Sequence, residues 1–253
     1  MKRLFVFVLC LFTGVVYAHT INWYVDDQLY QTTTCTIGDD VTPPTAPTKY
    51  GYTFQRWEPY IYTPIEYIES TGIQYINTGV QPNQDTRVVM EYMASSNFSA
   101  FLFGARNSLS SGNRSYGVLY SGDGKLSSDY NERLVIISLS NSFYNQKLIC
   151  DKYKRQIVVY DQNSNILGAG ANNAATFGPD YALIFPNTQT GTVITYITGS
   201  IKIYSFKIYD NGTLVRDFIP VLDTDNVPCM WDLVSEACFY NAGTGEFIAG
   251  PEI

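Results

Sequence analysis

Beyond residue 18 no ten-residue stretch repeats apolar side chains at helical spacing, and turn signals break the chain at short intervals. They include Ser70-Thr71-Gly72, Gln81-Pro82-Asn83, Ser121-Gly122-Asp123-Gly124, Asn172-Asn173 and Asp210-Asn211-Gly212. Short apolar runs between such turns are what antiparallel sandwiches and barrels need. Composition agrees: 21 Tyr and 14 Phe, with frequent Thr, Val and Ile, suit a pleated surface buried on one side. The fold class expected is all-β. Asn211-Gly212 is the strongest hairpin signal, because both central residues of a type I′ turn need positive φ. In the run before it Ile201 and Ile203 share one face, whereas Tyr204, Phe206 and Ile208 take the other. That change of phase implies a bulge or a strand buried on both faces. Asp123-Gly124 marks a second hairpin after Tyr116–Tyr120.

The amino terminus reads differently. Met1-Lys2-Arg3 is a short positive segment, Leu4 to Val16 is mostly apolar, and Val16-Tyr17-Ala18 offers a cleavage site. The apolar run is too short to cross a hydrocarbon core of about 30 Å as a helix, so residues 1–18 read as a cleavable signal peptide. The expected location is outside the cell or on its surface. No later stretch is long and apolar enough to insert into a membrane, and no anchoring or sorting motif is visible before Gly250-Pro251-Glu252-Ile253. The formal net charge is −7, and removal of Lys2 and Arg3 makes it more negative. Nucleic acid and anionic membranes are poor partners for such a chain, because phosphate binding needs concentrated cations. The nearest basic run, Lys152-Tyr153-Lys154-Arg155, is flanked by Asp151 and Asp161 and reads as a solvated strand.

The rest divides into residues 19–60 and residues 61–253. In the first part Ile21–Val25 and Gln28–Ile37 are strand-like around Asp26-Asp27. The prolines of Thr42–Pro47 then forbid a central strand. Four sets of residues, Trp23-Tyr24-Val25-Asp26, Gly38 with Val41, Pro44 with Pro47, and Lys49-x-Gly51-Tyr52-Thr53-Phe54-x-x-Trp57, resemble the internalin-type B repeat (Listeria–Bacteroides repeat) of bacterial surface proteins. Arg56 stands where the repeat usually has glycine. The resemblance implies a small β-grasp-like module, with Trp57 in its core. At this size a lone core becomes inadequate, so the module is expected to pack on its neighbour and not to fold alone.

The second part opens with Ile65-Glu66-Tyr67-Ile68-Glu69-Ser70-Thr71-Gly72-x-Gln74-Tyr75-Ile76-x-Thr78-Gly79. It continues through Leu102-Phe103-Gly104-Ala105-Arg106 and ends with Ile203–Pro220 and Tyr240-Asn241-Ala242-Gly243-Thr244-Gly245. These motifs resemble the laminin-G-like, concanavalin A-like jelly rolls of bacterial and phage-associated surface proteins. The resemblance implies an antiparallel jelly-roll β-sandwich. That fold serves lectins, adhesins, display modules and some glycosidases, so it does not fix the function.

Chemistry is sparse. Cleavage after Ala18 would expose His19, but it is the single histidine in the chain. A copper brace needs a second imidazole, and Ser-His-Asp or Cys-His catalysis needs an imidazole base. Paired carboxylates on a jelly roll could hydrolyse sugars. Here Glu66-x-x-Glu69 has an odd spacing that sets its two acids on opposite faces of a strand, and Glu91 stands alone. The chain is therefore read as a non-catalytic binding or adhesion protein, with glycan as the leading ligand class and a surface protein as another partner. A display module without a small ligand is the alternative, and a glycoside hydrolase comes third. Asp85, Asp123 and Asp223-x-Asp225 are the acids that could suit calcium at a loop edge, though ordinary turn roles suit them better; no other cofactor is implied.

After the leader come Cys35, Cys150, Cys229 and Cys238, and four cysteines permit three pairings. Cys229 and Cys238 are the nearest pair, and a bridge would close a loop of about ten residues for roughly 2.5–3 kcal/mol. A hairpin turning at Ser235-Glu236, however, would set Cys238 opposite Leu233. Trp231 falls in this closing hairpin.

Overall fold

The computed structural model describes residues 18–25, 28–36, 42–54, 57, 62–96, 98–106, 115–121, 124–139, 143–173, 178, 181–190, 192–194 and 198–253. The leader read at residues 1–18 lies outside them except for Ala18. The chain separates into two compact units, Met1–Thr63 and Pro64–Ile253.

In the first unit β1 (Ala18–Val25) and β2 (Gln28–Thr36) form an antiparallel pair, with a bulge between Trp23 and Tyr24. Trp23 is buried and donates its indole N–H to Thr33 Oγ1 at 2.8 Å. Trp57 meets it edge to face, with ring centres 5.1 Å apart, and also packs on Tyr30 and Phe54. An aromatic cluster thus forms around buried Trp23, with Trp57 and Phe54 half-buried and Tyr30 exposed at its edge.

The remaining strands follow in order, the first of them crossing the division between the two units. First come β3 (Tyr62–Pro64), β4 (Ile68–Ser70), β5 (Ile76–Asn77), β6 (Arg87–Ala94), β7 (Ala100–Arg106), β8 (Ser115–Ser121) and β9 (Lys125–Tyr130). Then come β10 (Glu132–Ser138), β11 (Leu148–Tyr153), β12 (Gln156–Tyr160), β13 (Ile166–Ala171), β14 (Ile184–Phe185), β15 (Thr188–Thr190) and β16 (Thr192–Ile194). The chain closes with β17 (Ile201–Asp210), β18 (Thr213–Asp223), β19 (Pro228–Asp232), β20 (Ala237–Phe239) and β21 (Ile248–Ala249). One sheet runs β10-β9-β8-β7-β14-β5, and the other runs β13-β12-β11-β6-β17-β18-β19-β20. Among the described residues the registered pairs are antiparallel, save the parallel contact of Gln189 with Ala105. Among the described residues no helix is long and apolar enough to cross a membrane.

The two sheets face each other through aromatic rings. Phe206 of β17 stacks on Phe185 of β14 at 3.9 Å and meets Phe103 of β7 at 5.6 Å. Tyr92 of β6 meets Tyr120 of β8 at 6.3 Å. Strict alternation in β6 buries Val88, Met90, Tyr92 and Ala94, and leaves Arg87, Val89, Glu91 and Met93 on the outer face. Period-two burial of this kind is what an antiparallel sheet with one solvated face requires.

The turn chemistry explains the hairpins. Asn211 and Gly212 adopt φ of 47° and 82° and join β17 to β18 in a two-residue loop, as the Asn-Gly pair predicts. The phase change in β17 is a bulge at Ile203/Ser205 against β6. It turns Tyr204 away from the core and onto Tyr67. The hairpin of β8 and β9 also forms, although Gly122 and Asp123 lie outside the described residues.

Two expectations fail. Lys152–Arg155 is not a solvated strand: Lys152 ends the inward row Leu148, Cys150, Lys152 of β11 and is 0% exposed, while Lys154 and Arg155 form the turn to β12. The closing hairpin does not turn at Ser235-Glu236. Its loop is the four residues Leu233–Glu236, so Asp232 faces Ala237 and Cys238 faces Trp231 rather than Leu233. The cause is Asp232, whose buried carboxylate accepts the N–H groups of Val234 and Ser235, the Ser235 hydroxyl at 2.6 Å and the Asp217 N–H at 2.7 Å. Those bonds hold a wider loop than the two-residue turn, and Glu236 closes it at φ 53°.

Candidate functional site

Three surface arrangements hold side chains able to meet a ligand, one on the first unit and two on the second. In the first unit the Lys49–Tyr52 turn is closed by the Tyr52 N–H to Lys49 O bond at 3.1 Å, with Gly51 at φ +79°. A positive φ at the third residue of a turn favours glycine, and it leaves the second residue pointing outward. That second residue is Tyr50, which is fully exposed. Tyr50, Tyr52 and Phe54 line an open depression of about 580 Å³ with Pro47, Thr48 and Lys49. The Lys49 ammonium lies 4.4 Å from the Tyr52 ring centre. The indole N–H of Trp57 bonds Pro44 O at 2.9 Å and the Tyr30 hydroxyl bonds Thr45 O at 3.2 Å, so the proline-rich segment is tied to the aromatic core. The shelf is thus built by the Gly51-Tyr52-Thr53-Phe54 run and the segment before it.

On the outer face of the second unit, Tyr67 and Tyr204 meet edge to face at 5.6 Å. Lys202 lies 4.1 Å from the Tyr67 ring centre and donates to its hydroxyl at 2.9 Å. That bond holds the Lys202 ammonium above its usual pKa. Lys147 sits 4.1 Å over the Tyr204 ring and 3.3 Å from Glu91. The Tyr204 hydroxyl is pushed up to about 12, by burial first and then by Glu66, Glu91 and Glu69 together with Tyr67.

The acids read from the sequence are therefore placed differently from expectation. Strand β4 begins only at Ile68, so alternation does not separate Glu66 from Glu69, and both act on Lys202 and Tyr204. Glu91 does not stand alone but pairs with Lys147. The ring faces are engaged by ammonium groups, which makes this cluster a self-satisfied surface network rather than an open stacking platform.

The third arrangement is polar. Asn83, Gln84, Asp85 and Asn211 line a shallow depression of about 310 Å³. Asn83 Nδ2 donates to Asp210 Oδ1 at 2.5 Å, and Asp85 pairs with Lys154 at 2.6 Å. Amides and carboxylates at a loop rim suit the hydroxyls of a sugar.

Of the remaining residues named from sequence, Asp223 accepts the N–H groups of Asp225 and Val227 and the Tyr240 hydroxyl at 2.9 Å. These bonds, against the opposing effect of burial, hold its carboxyl below the usual range. It orders a turn. Asp123 lies outside the described residues. His19 stands opposite Cys35 in β1. Among the described residues, no group of three or more His, Cys, Asp or Glu side chains is placed to hold a metal ion. Cys229 and Cys238 come together, with sulfurs 3.0 Å apart. Trp57 packs on Trp23, Tyr30 and Phe54 but is only half-buried, and Trp231 lies in β19 of the closing hairpin.

Sequence reasoning missed one buried site. Lys152 donates to Ser128 Oγ at 2.8 Å, and its ammonium lies 4.8 Å from the Tyr116 ring centre. Ser128 in turn donates to Asn172 Oδ1 at 2.8 Å, and Asn172 Nδ2 donates back to Ser128 O at 2.7 Å. Burial lowers the Lys152 amine to about 7, against opposing contributions from Asp129 and Cys150. The signal lay in the spacing Leu148-x-Cys150-x-Lys152, which puts all three on one face of a strand.

No family model matches the chain, and no curated protein matches it. Among solved structures, the CBM40 module of a Ruminococcus gnavus IT-sialidase bound to α2,3-sialyllactose is similar with a TM-score of 0.38 and 12% identity. The match covers 55% of this chain and 89% of that one. SCP-B, an eqolisin-family peptidase in complex with the tripeptide Ala-Ile-His, is similar with a TM-score of 0.32 and 10% identity, over 75% of this chain and 100% of that one. At such scores neither likeness carries an argument about activity or ligand.

Proposed function

We propose that this is an exported, non-catalytic binding or adhesion protein directed to glycans at or beyond the cell surface. In this reading the first unit is a β-grasp-like module and the second a concanavalin A-like jelly roll. The observation that carries it is the aromatic shelf. Tyr50 is held fully exposed by a glycine-dependent turn, beside Tyr52 and Phe54 and within one open depression. An exposed ring has an apolar face to lay against the C–H face of a sugar, while its rim and the neighbouring Thr48 and Lys49 can bond hydroxyls. The amide-lined depression at Asn83 and Asn211 offers a second set of hydroxyl partners on the larger unit.

The test is a glycan array probed with residues 19–253, with and without calcium. Binding is expected to at least one glycan class, and Tyr50→Ala should weaken it by about tenfold, the scale of one lost stacking contact. Tyr50 makes little packing, so the variant should melt at the temperature of the parent. Absence of binding in both conditions would sink the glycan reading and leave the display module; release of reducing sugar would instead revive hydrolysis.

A further inference from the structure

The two cysteines of the closing hairpin are placed for chemistry. Met230 faces Phe239 and Trp231 faces Cys238 across β19 and β20, which sets Cys229 and Cys238 diagonally on one face of the pair. Their sulfurs are 3.0 Å apart. Cys229 is 0% exposed, whereas Cys238 is partly open to solvent. The Cys229 thiol donates toward Cys238, which lowers the pKa of Cys238 and raises that of Cys229. Cys150, fully buried, sits on β11 between Met90 and Val159 and is held at about 12 mainly by burial.

We infer that Cys229 and Cys238 form a reversible disulfide, with Cys238 the attacking thiol and Cys229 the resolving one. The oxidant is a small-molecule or protein disulfide of the kind available outside the cytoplasm. The Cys238 thiolate, its proton released to solvent, attacks one sulfur of that disulfide; a mixed disulfide forms and one thiol leaves. Cys229 then loses its proton and attacks the Cys238 sulfur, and the second thiol leaves. The two protein thiols are oxidised by two electrons, and the oxidant is reduced to two thiols.

The bridge clasps more than a hairpin. Beyond β20 the chain returns to the segment between β4 and β5: Asn241 Oδ1 accepts the Tyr75 N–H at 3.0 Å, and Ala242 N–H donates to Tyr75 O at 2.8 Å. Gln74 Nε2 donates to Glu246 O at 3.0 Å. Fixing β20 to β19 therefore fixes the segment that ties the carboxy terminus to β4 and β5.

The experiment equilibrates residues 19–253 with oxidised glutathione, unfolds the product, alkylates free thiols and cleaves after glutamate, lysine and arginine, which also separates Cys150 from Cys229. Glu236 lies between the two cysteines, so cleavage there leaves their peptides joined only through a disulfide. The expected result is one linked pair containing Cys229 and Cys238, with Cys35 and Cys150 alkylated. The same link should survive Cys150→Ser and vanish in Cys238→Ser. Alkylation of both Cys229 and Cys238 after oxidation, or linkage of either one to Cys35 or Cys150, overturns the assignment.

Discussion

At the scale of the residue, Lys152 carries the plainest thermodynamic consequence. Its amine titrates near 7 in the folded protein and near 10.5 when exposed, because burial disfavours the charged form. Between those values the unfolded chain holds a proton that the folded chain has released. Stability contributed by this group therefore rises as pH climbs from about 7 toward 10.5, and below 7 the full cost of burying the charge is present. Lys152→Met fills similar volume without a charge and leaves Ser128 bonded to Asn172. It should stabilise the protein by about 1–3 kcal/mol at pH 6, with the gain fading by pH 9. Urea midpoints at the two pH values measure this; an equal shift at both would remove the titration argument. The placement was legible in part. Alternation already put Lys152 on the face of Leu148 and Cys150, but the charge run around it argues for solvent. Only the structure shows Ser128 and Asn172, far apart in sequence, supplying polar partners.

At the scale of the element, the hairpins show why some registers can be read and others cannot. Asn211-Gly212 carries its turn in its own backbone preferences, so two residues suffice to place β17 against β18. The β19–β20 loop is set instead by one side chain, Asp232, reaching forward to Val234 and Ser235 and sideways to Asp217. No dipeptide announces that, and the two-residue reading therefore misplaces Cys238. Asp232→Ala would remove the fully buried carboxylate that accepts from the Asp217 N–H and from the exposed loop residues Val234 and Ser235. The expected loss is about 2–4 kcal/mol, since a hydrogen bond to a charged group contributes roughly 1.5–3 kcal/mol and the solvent-open loop donors recover part of theirs from water. Denaturant unfolding checks it, and a change under 0.5 kcal/mol, the ordinary range for surface substitutions, would show that the loop holds without the carboxylate. The same variant should slow formation of the Cys229–Cys238 link, because the register that brings the sulfurs together depends on this loop.

At the scale of the whole molecule, the two units differ in how much apolar surface each can bury. The second has a continuous core in which Phe103, Phe185, Phe206 and Phe218 join the sheets, all fully buried. Its β-class and turn pattern are visible in the sequence because short strands and their turns are local features. The partner order β10-β9-β8-β7-β14-β5 is not, since it depends on contacts between strands distant along the chain. Among the described residues the first unit has one strand pair and an aromatic knot around Trp57. Chains near 40 residues bury too little surface to offset the conformational entropy of ordering them unless a disulfide, metal or partner helps. Residues 19–60 expressed alone should consequently melt without a cooperative transition, whereas residues 64–253 should melt cooperatively. Near-ultraviolet circular dichroism is the suitable probe, because Trp23 and Trp57 report fixed packing directly. A sharp transition in the short fragment would mean that the Trp23–Trp57–Tyr30–Phe54 knot suffices, and the shelf carrying Tyr50 could then bind ligand as an independent module.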